Sequence, residues 1–253
     1  MDLGLNDSVA LVTGASSGLG FATARALAEE GATVVLAARG ADRLVEAVSS
    51  IRAAVPDAAV EARPCDVADL AAAAALVEET VARHGRLDIL VANTGGVPPG
   101  PASAFGIEDY RAAFERVTLA AINLALAALP HLKASGRGRL LFVTSETIRH
   151  PTPVYALSGV ARMGLLGWVK SMADELGEAG CTANIIAPGH HRTPLLEGHV
   201  SEVELAARAA SIPMRRIGDP GDFGKVACFL AGAPAGFVHG TVVLVDGGLS
   251  RGI

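Results

Sequence analysis

Thr13-Gly14-Ala15-Ser16-Ser17-Gly18-Leu19-Gly20 joins an apolar, strand-like run over 8–13 to a helical stretch over 18–30 that Gly31 closes. Glycines at such a join let the chain turn tightly and bring its backbone close to a bound group. The helix behind offers free N–H groups and the positive end of its dipole to a phosphate. A lone glycine-rich turn means little. With a strand before it and a helix after it, the turn reads as a pyrophosphate site at the start of a βαβ unit. This reading puts Gly14, Ser16, Ser17, Gly18, Leu19 and Gly20 at the phosphates.

Outward from this turn the same alternation continues. Strands are predicted over 33–38, 59–65, 88–92, 139–144, 182–187 and 241–245. Helices are predicted over 43–55, 69–84, 107–134, 155–178 and 222–230. In 43–55, Leu44, Val48 and Ile51 share a face. In 69–84, Leu70, Ala74, Val77 and Val81 form an apolar stripe, Asp69 caps the start and Gly85 the end. The fold class is therefore α/β: a single-domain, Rossmann-type, doubly wound parallel sheet of about seven strands with helices on both faces. No linker or composition break divides residues 1–253, so one domain is expected. The segment 193–214 is the longest irregular-looking one and reads as a substrate lid or an inserted surface helix.

Composition narrows the function. Hydrophobic residues make up 51% of the 253 and charged ones 19%, which argues against disorder. A net charge of −5 without a basic stripe argues against a nucleic-acid partner. No signal peptide is read at the N-terminus, and no apolar run of the length needed for a membrane span, so no membrane partner is expected. Cys65, Cys181 and Cys228 lie far apart and form no CxxC pair, which suits a reducing, cytoplasmic setting.

Further motifs carry a resemblance. Asp66-Val67 follows the third strand, Asn93-Thr94-Gly95-Gly96 the fourth, Pro188-Gly189 with Thr193 the sixth, and Val245-Asp246-Gly247-Gly248 stands near the end. With Thr-Gly-x-x-x-Gly-x-Gly at the first turn, the whole chain resembles the short-chain dehydrogenase/reductases. One difference is mild: the family usually has Asn-Asn-Ala-Gly where this chain has Asn93-Thr94-Gly95-Gly96. The resemblance implies that Asp66 and Val67 meet the adenine, that Asn93 and Gly95 line the cofactor, and that Pro188, Gly189, His191 and Thr193 reach the nicotinamide end. The end of the second strand chooses between NAD and NADP(H). It reads Ala37-Ala38-Arg39, with no carboxylate to repel a 2′-phosphate. Arg39 can bind that phosphate through charge-assisted bonds, with Arg43 one turn on, so NADP(H) is the expected cofactor.

The catalytic pattern is incomplete. The family's ketone reducers use an Asn-Ser-Tyr-Lys set. Here Ser145 matches the serine and Tyr155 the tyrosine, at a shorter interval than is usual. The position four after Tyr155, on the same helix face, is Gly159 rather than lysine, and Thr118 stands where asparagine is expected. The candidate catalytic residues are thus Ser145, Tyr155 and Thr118. Arg162 lies about 10 Å along the helix from Tyr155, too far to replace the lysine directly. Glu146, His150, His190 and His191 are other candidate proton donors. The spacing of His190, His191 and His199 does not suit a metal site.

The function expected is NADPH-dependent reduction of a ketone to an alcohol with atypical proton delivery, on a small-molecule carbonyl substrate. A cyclic or aromatic, polyketide-like ketone of secondary metabolism could lend its own proton. Alternatives are a catalytically silent nucleotide-binding regulator and a non-redox dehydratase or epimerase on the same fold. The resemblance further implies a homodimer or homotetramer built through the two long helices.

Overall fold

The computed structural model describes residues 1–198 and 200–252. Seven parallel strands form one sheet in the order β3-β2-β1-β4-β5-β6-β7. They are β1 Val9–Thr13, β2 Thr33–Ala38, β3 Val60–Pro64, β4 Ile89–Asn93, β5 Arg139–Val143, β6 Thr182–Pro188 and β7 Val242–Val245. β1, β5 and β6 are buried along their whole length, as strands covered on both faces must be.

One face of the sheet buries Val12, Val34, Leu36, Val91 and Val143 against helices α1 Gly18–Glu29, α2 Ala41–Ala54 and α10 Pro220–Ala231. The other buries Leu11, Leu90, Phe142 and Ile185 against α3 Leu70–His84, α5 Ala120–Ser135 and α6 Ala156–Ser171. At about 25 cal/mol per Å² of apolar surface, these two layers supply the main force for folding. Leu44, Val48 and Ile51 of α2 are buried as their spacing predicts. Asp69 accepts hydrogen bonds from the Ala71 and Ala72 N–H groups, and Gly85 ends α3 in the left-handed region. The stripe itself is different: Ala73, Leu76, Val77 and Thr80 face the core, while Leu70 is 44% exposed. An alanine run gives too little contrast to fix a helix's rotation.

Three further elements depart from expectation. The helix predicted over 107–134 is α4 Ile107–Ala113, a π-helical stretch Phe114–Leu119, and α5. Its apolar pattern runs straight through the extra-residue bulge and hides it. The sequence shows no unbroken apolar run of spanning length, yet by length and composition this stretch could cross a membrane; Ala121, Leu124, Ala128 and Leu132 are nonetheless buried in the core. The helix predicted over 155–178 is α6 and then α7 Ala173–Gly177, broken at Met172. The segment 193–214 is not irregular: it holds α8 Pro194–Glu197 and α9 Glu202–Ser211. α9 begins with a Ser201–Glu204 capping box and buries Leu205.

The strand register brings the carboxyl ends together. Thr13 pairs with Ala37, Asn93 with Val143, and Pro188 with Val245. The chain reverses its direction of winding between β1 and β4, and a crevice opens there outside the strand ends, where such sheets bind ligands.

Candidate active site

The crevice is a cavity of about 340 Å³. Its walls carry Gly14, Ser16, Ser17, Gly18 and Leu19 from the β1–α1 turn, and Arg39 and Arg43 beyond β2. Cys65, Asp66 and Val67 follow β3, Asn93 to Gly95 follow β4, and Thr193 to Leu195 follow β6. Eleven expected residues therefore converge: Gly14, Ser16, Ser17, Gly18, Leu19, Arg39, Asp66, Val67, Asn93, Gly95 and Thr193.

The turn is built by close packing. Gly14 has φ +60°, and a Cβ there would meet Asn93 Nδ2 at 2.7 Å. A Cβ on Gly20 would lie 2.3 Å from the Gly14 carbonyl oxygen. Gly20 thus sits under the turn rather than on the cavity wall. Thr13 secures the other side: its hydroxyl accepts from the Asn93 N–H at 2.9 Å and donates to the Asn93 carbonyl at 3.1 Å. The phosphate-side backbone and the Asn93 turn are locked as one unit.

Pro188 and Gly189 are also off the wall. Gly189 donates to the Val245 carbonyl at 2.9 Å, and a Cβ on it would meet Asp246 at 2.7 Å. The Pro-Gly and Asp-Gly-Gly motifs pack on each other. His191 is not brought to the cofactor cavity. It lines a separate cavity of about 100 Å³, its Nδ1 lies 3.1 Å from the Gly189 carbonyl, and its ring stands edge-on to Phe223. Neighbouring residues point in different directions, and here the inward one is held by the core. Burial keeps the His190 and His191 imidazoles below their ordinary pKa. His199 lies outside the described residues. Among those described, no group of three or more His, Cys, Asp or Glu could hold a metal ion.

Ser145 follows β5 at the same sheet edge. Its hydroxyl donates to Glu146 Oε2 at 2.7 Å and accepts from the Thr147 N–H at 3.2 Å. Glu146 is 5% exposed. Burial raises its carboxyl above the usual range, against the opposing effects of the Ser145 hydrogen bond and the nearby Arg162. Arg162 is itself buried, which pushes it down to about 10. It donates to Ser158 Oγ at 3.1 Å and to the Val143 carbonyl at 3.4 Å, fastening α6 to the end of β5. Its guanidinium is spent on structure.

Thr118 is buried, and its hydroxyl donates to the Ala161 carbonyl at 2.5 Å, with Gly164 close beneath its methyl. It clips the π-helical stretch to α6. A Cβ at Gly159 would meet nothing nearer than the Thr147 carbonyl at 3.7 Å. Tyr155 stands at the N-cap of α6, tied to the loop after β4 through a bridge with Gly100. Its hydroxyl oxygen accepts a hydrogen bond from Arg208 Nη1 of α9 at 3.0 Å.

A family model described as Enoyl-(Acyl carrier protein) reductase matches residues 14–250. The cis-4-hydroxycyclohexanecarboxylate dehydrogenase of Sinomonas cyclohexanicum is 36% identical over 246 residues, 96% of each chain. The chain is a short-chain dehydrogenase/reductase. A hydroxynaphthalene reductase of Aspergillus fumigatus is 32% identical over 256 residues, 94% of this chain and 90% of its own. The crystal structure of the L-sorbose reductase of Gluconobacter frateurii, complexed with NADPH and L-sorbose, covers all of both chains at 30% identity with a TM-score of 0.92. This short-chain dehydrogenase/reductase is an oxidoreductase of CH–OH and C=O groups with NADP(H) as its cofactor. Its cavity fits that dinucleotide: glycine backbone faces one part of the space, and Arg39 and Arg43 face it beyond β2.

Some wall residues were missed in the sequence. Arg116, on the π-helical stretch, and Thr94 line the cavity. Arg208, 53 positions from its tyrosine, was missed as well. Arg116 needs the bulge to be known, and Arg208 needs the placement of α9.

Proposed function

We propose that this protein reduces a ketone to an alcohol with NADPH, on a cyclic or aromatic substrate. The observation that carries the reading is the pair Arg39 and Arg43 on the wall of the dinucleotide cavity, at the end of a β2 that carries no carboxylate. Two cations there favour a 2′-phosphate over a bare ribose hydroxyl. When the dinucleotide is bound, the glycine turn would hold its pyrophosphate, Asp66 and Val67 would border the adenine, and Asn93, Gly95 and Thr193 would line the rest. The bound nicotinamide supplies a hydride for the carbonyl carbon.

The chain's own groups handle the oxygen. Ser145 turns its hydroxyl from Glu146 to the carbonyl and polarises it. Tyr155 gives its phenolic proton to the oxygen as negative charge builds there. Thr118 takes no part in proton transfer, because its one hydroxyl hydrogen is committed to Ala161. Residues 193–214 act as the lid: Thr193 to Leu195 line the dinucleotide cavity and α9 reaches Tyr155. A cyclic substrate is supported by the names of two relatives, which act on a hydroxycyclohexanecarboxylate and on a hydroxynaphthalene.

Phe114, Leu119, Leu126, Val160 and Met163 present exposed apolar side chains along the π-helical stretch, α5 and α6. They support a homodimer or homotetramer through these helices. Three unpaired thiols support the cytoplasm as its location.

The test is NADPH consumption, with NADH in parallel, against aliphatic, cyclic and hydroxyaryl ketones. Wild type should reduce a cyclic or hydroxyaryl ketone with NADPH, and Tyr155→Phe should lose about 100-fold or more. NADPH binding without turnover of any ketone would overturn the reading. Full activity in Tyr155→Phe would remove Tyr155 as the proton donor and leave the reductase standing.

A further inference from the structure

We infer that Arg208 of α9 supplies the positive charge beside Tyr155 that Gly159 cannot, so that the proton donor is completed by a residue of the lid rather than by its own helix. The inference rests on Tyr155 as the proton donor.

The chemistry starts from the donor count. A guanidinium has five N–H donors and no acceptor. In the 3.0 Å pair of Arg208 Nη1 with Tyr155 Oη, the phenol oxygen is therefore the acceptor. The phenol's own hydrogen cannot point at Arg208 and is left for another oxygen. When that hydrogen goes to the substrate, its O–H bond to Tyr155 breaks and one forms on the substrate oxygen. The charge left on Tyr155 then lies against a cation, in a charge-assisted hydrogen bond. Solvent later returns the proton.

Other groups are unavailable for this work. Gly159 brings no side chain, and Arg162 is fastened to Ser158 and Val143. His190 is near enough to Arg208 for its charge to be felt, but burial and that charge both favour the neutral ring. Glu204, one helical turn before Arg208, feels its charge but accepts its hydrogen bonds from the Ser201 N–H and hydroxyl, while Arg208 Nη1 donates to Tyr155. α9 is itself set in place. Its capping box fixes the start, and buried Leu205 and Ile212 flank Arg208 in sequence.

The experiment compares wild type, Arg208→Gln, Arg208→Lys, Tyr155→Phe and the double variant Tyr155→Phe/Arg208→Gln in ketone reduction. Arg208→Gln should lower kcat by about 10- to 100-fold with a much smaller change in KM. Arg208→Lys, which keeps the charge, should recover part of the loss. In the Tyr155→Phe background Arg208→Gln should cost nothing further, because the oxygen it serves is gone. Two results would overturn the inference while leaving Tyr155 as the donor. One is Tyr155→Phe inactive with Arg208→Gln unimpaired. The other is an Arg208→Gln loss of equal size in both backgrounds, which would make Arg208 a substrate or lid contact. Full activity in Tyr155→Phe would instead remove the underlying reading.

Discussion

The dinucleotide end and the proposed proton-transfer end of this molecule share one edge of the sheet but are held in different ways. At the first, glycine backbone is packed at close range, Gly14 against Asn93 and Gly20 against Gly14, and the Thr13 hydroxyl bridges both polar groups of the Asn93 backbone. At the second, long side chains reach between elements: Arg162 to β5, Thr118 to α6, Arg208 to Tyr155. Backbone contacts admit almost no substitution, since a single Cβ would collide. Side-chain contacts can be rebuilt from another position. The first end should therefore tolerate substitution far less than the second.

The comparison predicts its own largest effect at Gly20. Gly20→Ala should raise the NADPH dissociation constant by about 100-fold or more, because the added methyl runs first into the fixed Gly14 carbonyl. Fluorescence titration measures it, and near-normal binding would break the claim that this end is rigid. Next in size is Arg39→Ala. Loss of a charged hydrogen bond of about 1.5–3 kcal/mol should lower kcat/KM with NADPH by about 10- to 100-fold and leave the value with NADH within about threefold. Equal losses with both cofactors would make Arg39 a structural residue.

The smallest effect sharpens the other side. Glu146 holds its proton to higher pH in the native state than in the unfolded chain, because burial disfavours its charge. The native state thus binds more protons between the ordinary carboxylate value and the raised one. Its contribution to stability is complete below the ordinary value and is lost as pH rises through the raised one. As pH rises from the ordinary carboxylate range through the raised value, wild type should lose stability relative to Glu146→Gln, read as a falling difference in Tm between the two. Parallel melting curves for the two would refute the buried-acid description.

What could be read from the sequence divides along the same line. The strand–glycine turn–helix junction is a local event, so its residues declare it, and the sheet follows from repeated alternation. Asp69 and Gly85 mark α3 for the same reason. The rotation of α3 was illegible in a run of alanines, and the π-helical bulge was illegible in a continuous apolar pattern. α9 did carry a local sign, Ser201 and Glu204 at capping-box spacing, but its role depends on a hydrogen bond across 53 positions. No periodicity encodes such a pair. His191 is a different case: the sequence does not say which of two adjacent rings turns inward, and packing on Phe223 decides it.

The wall of the dinucleotide cavity draws on Gly14 near one end of the chain and on Thr193 to Leu195 far along it, with the Thr193 methyl only 3.3 Å from where a Cβ on Gly18 would be. During synthesis the ribosome releases Gly14 long before Thr193. A nascent chain that has folded β1, β2 and β3 still lacks a wall of the site, so it gains little of the stabilisation that ligand gives a finished binder. Cofactor can act as a folding aid for this protein only after most of the chain has emerged.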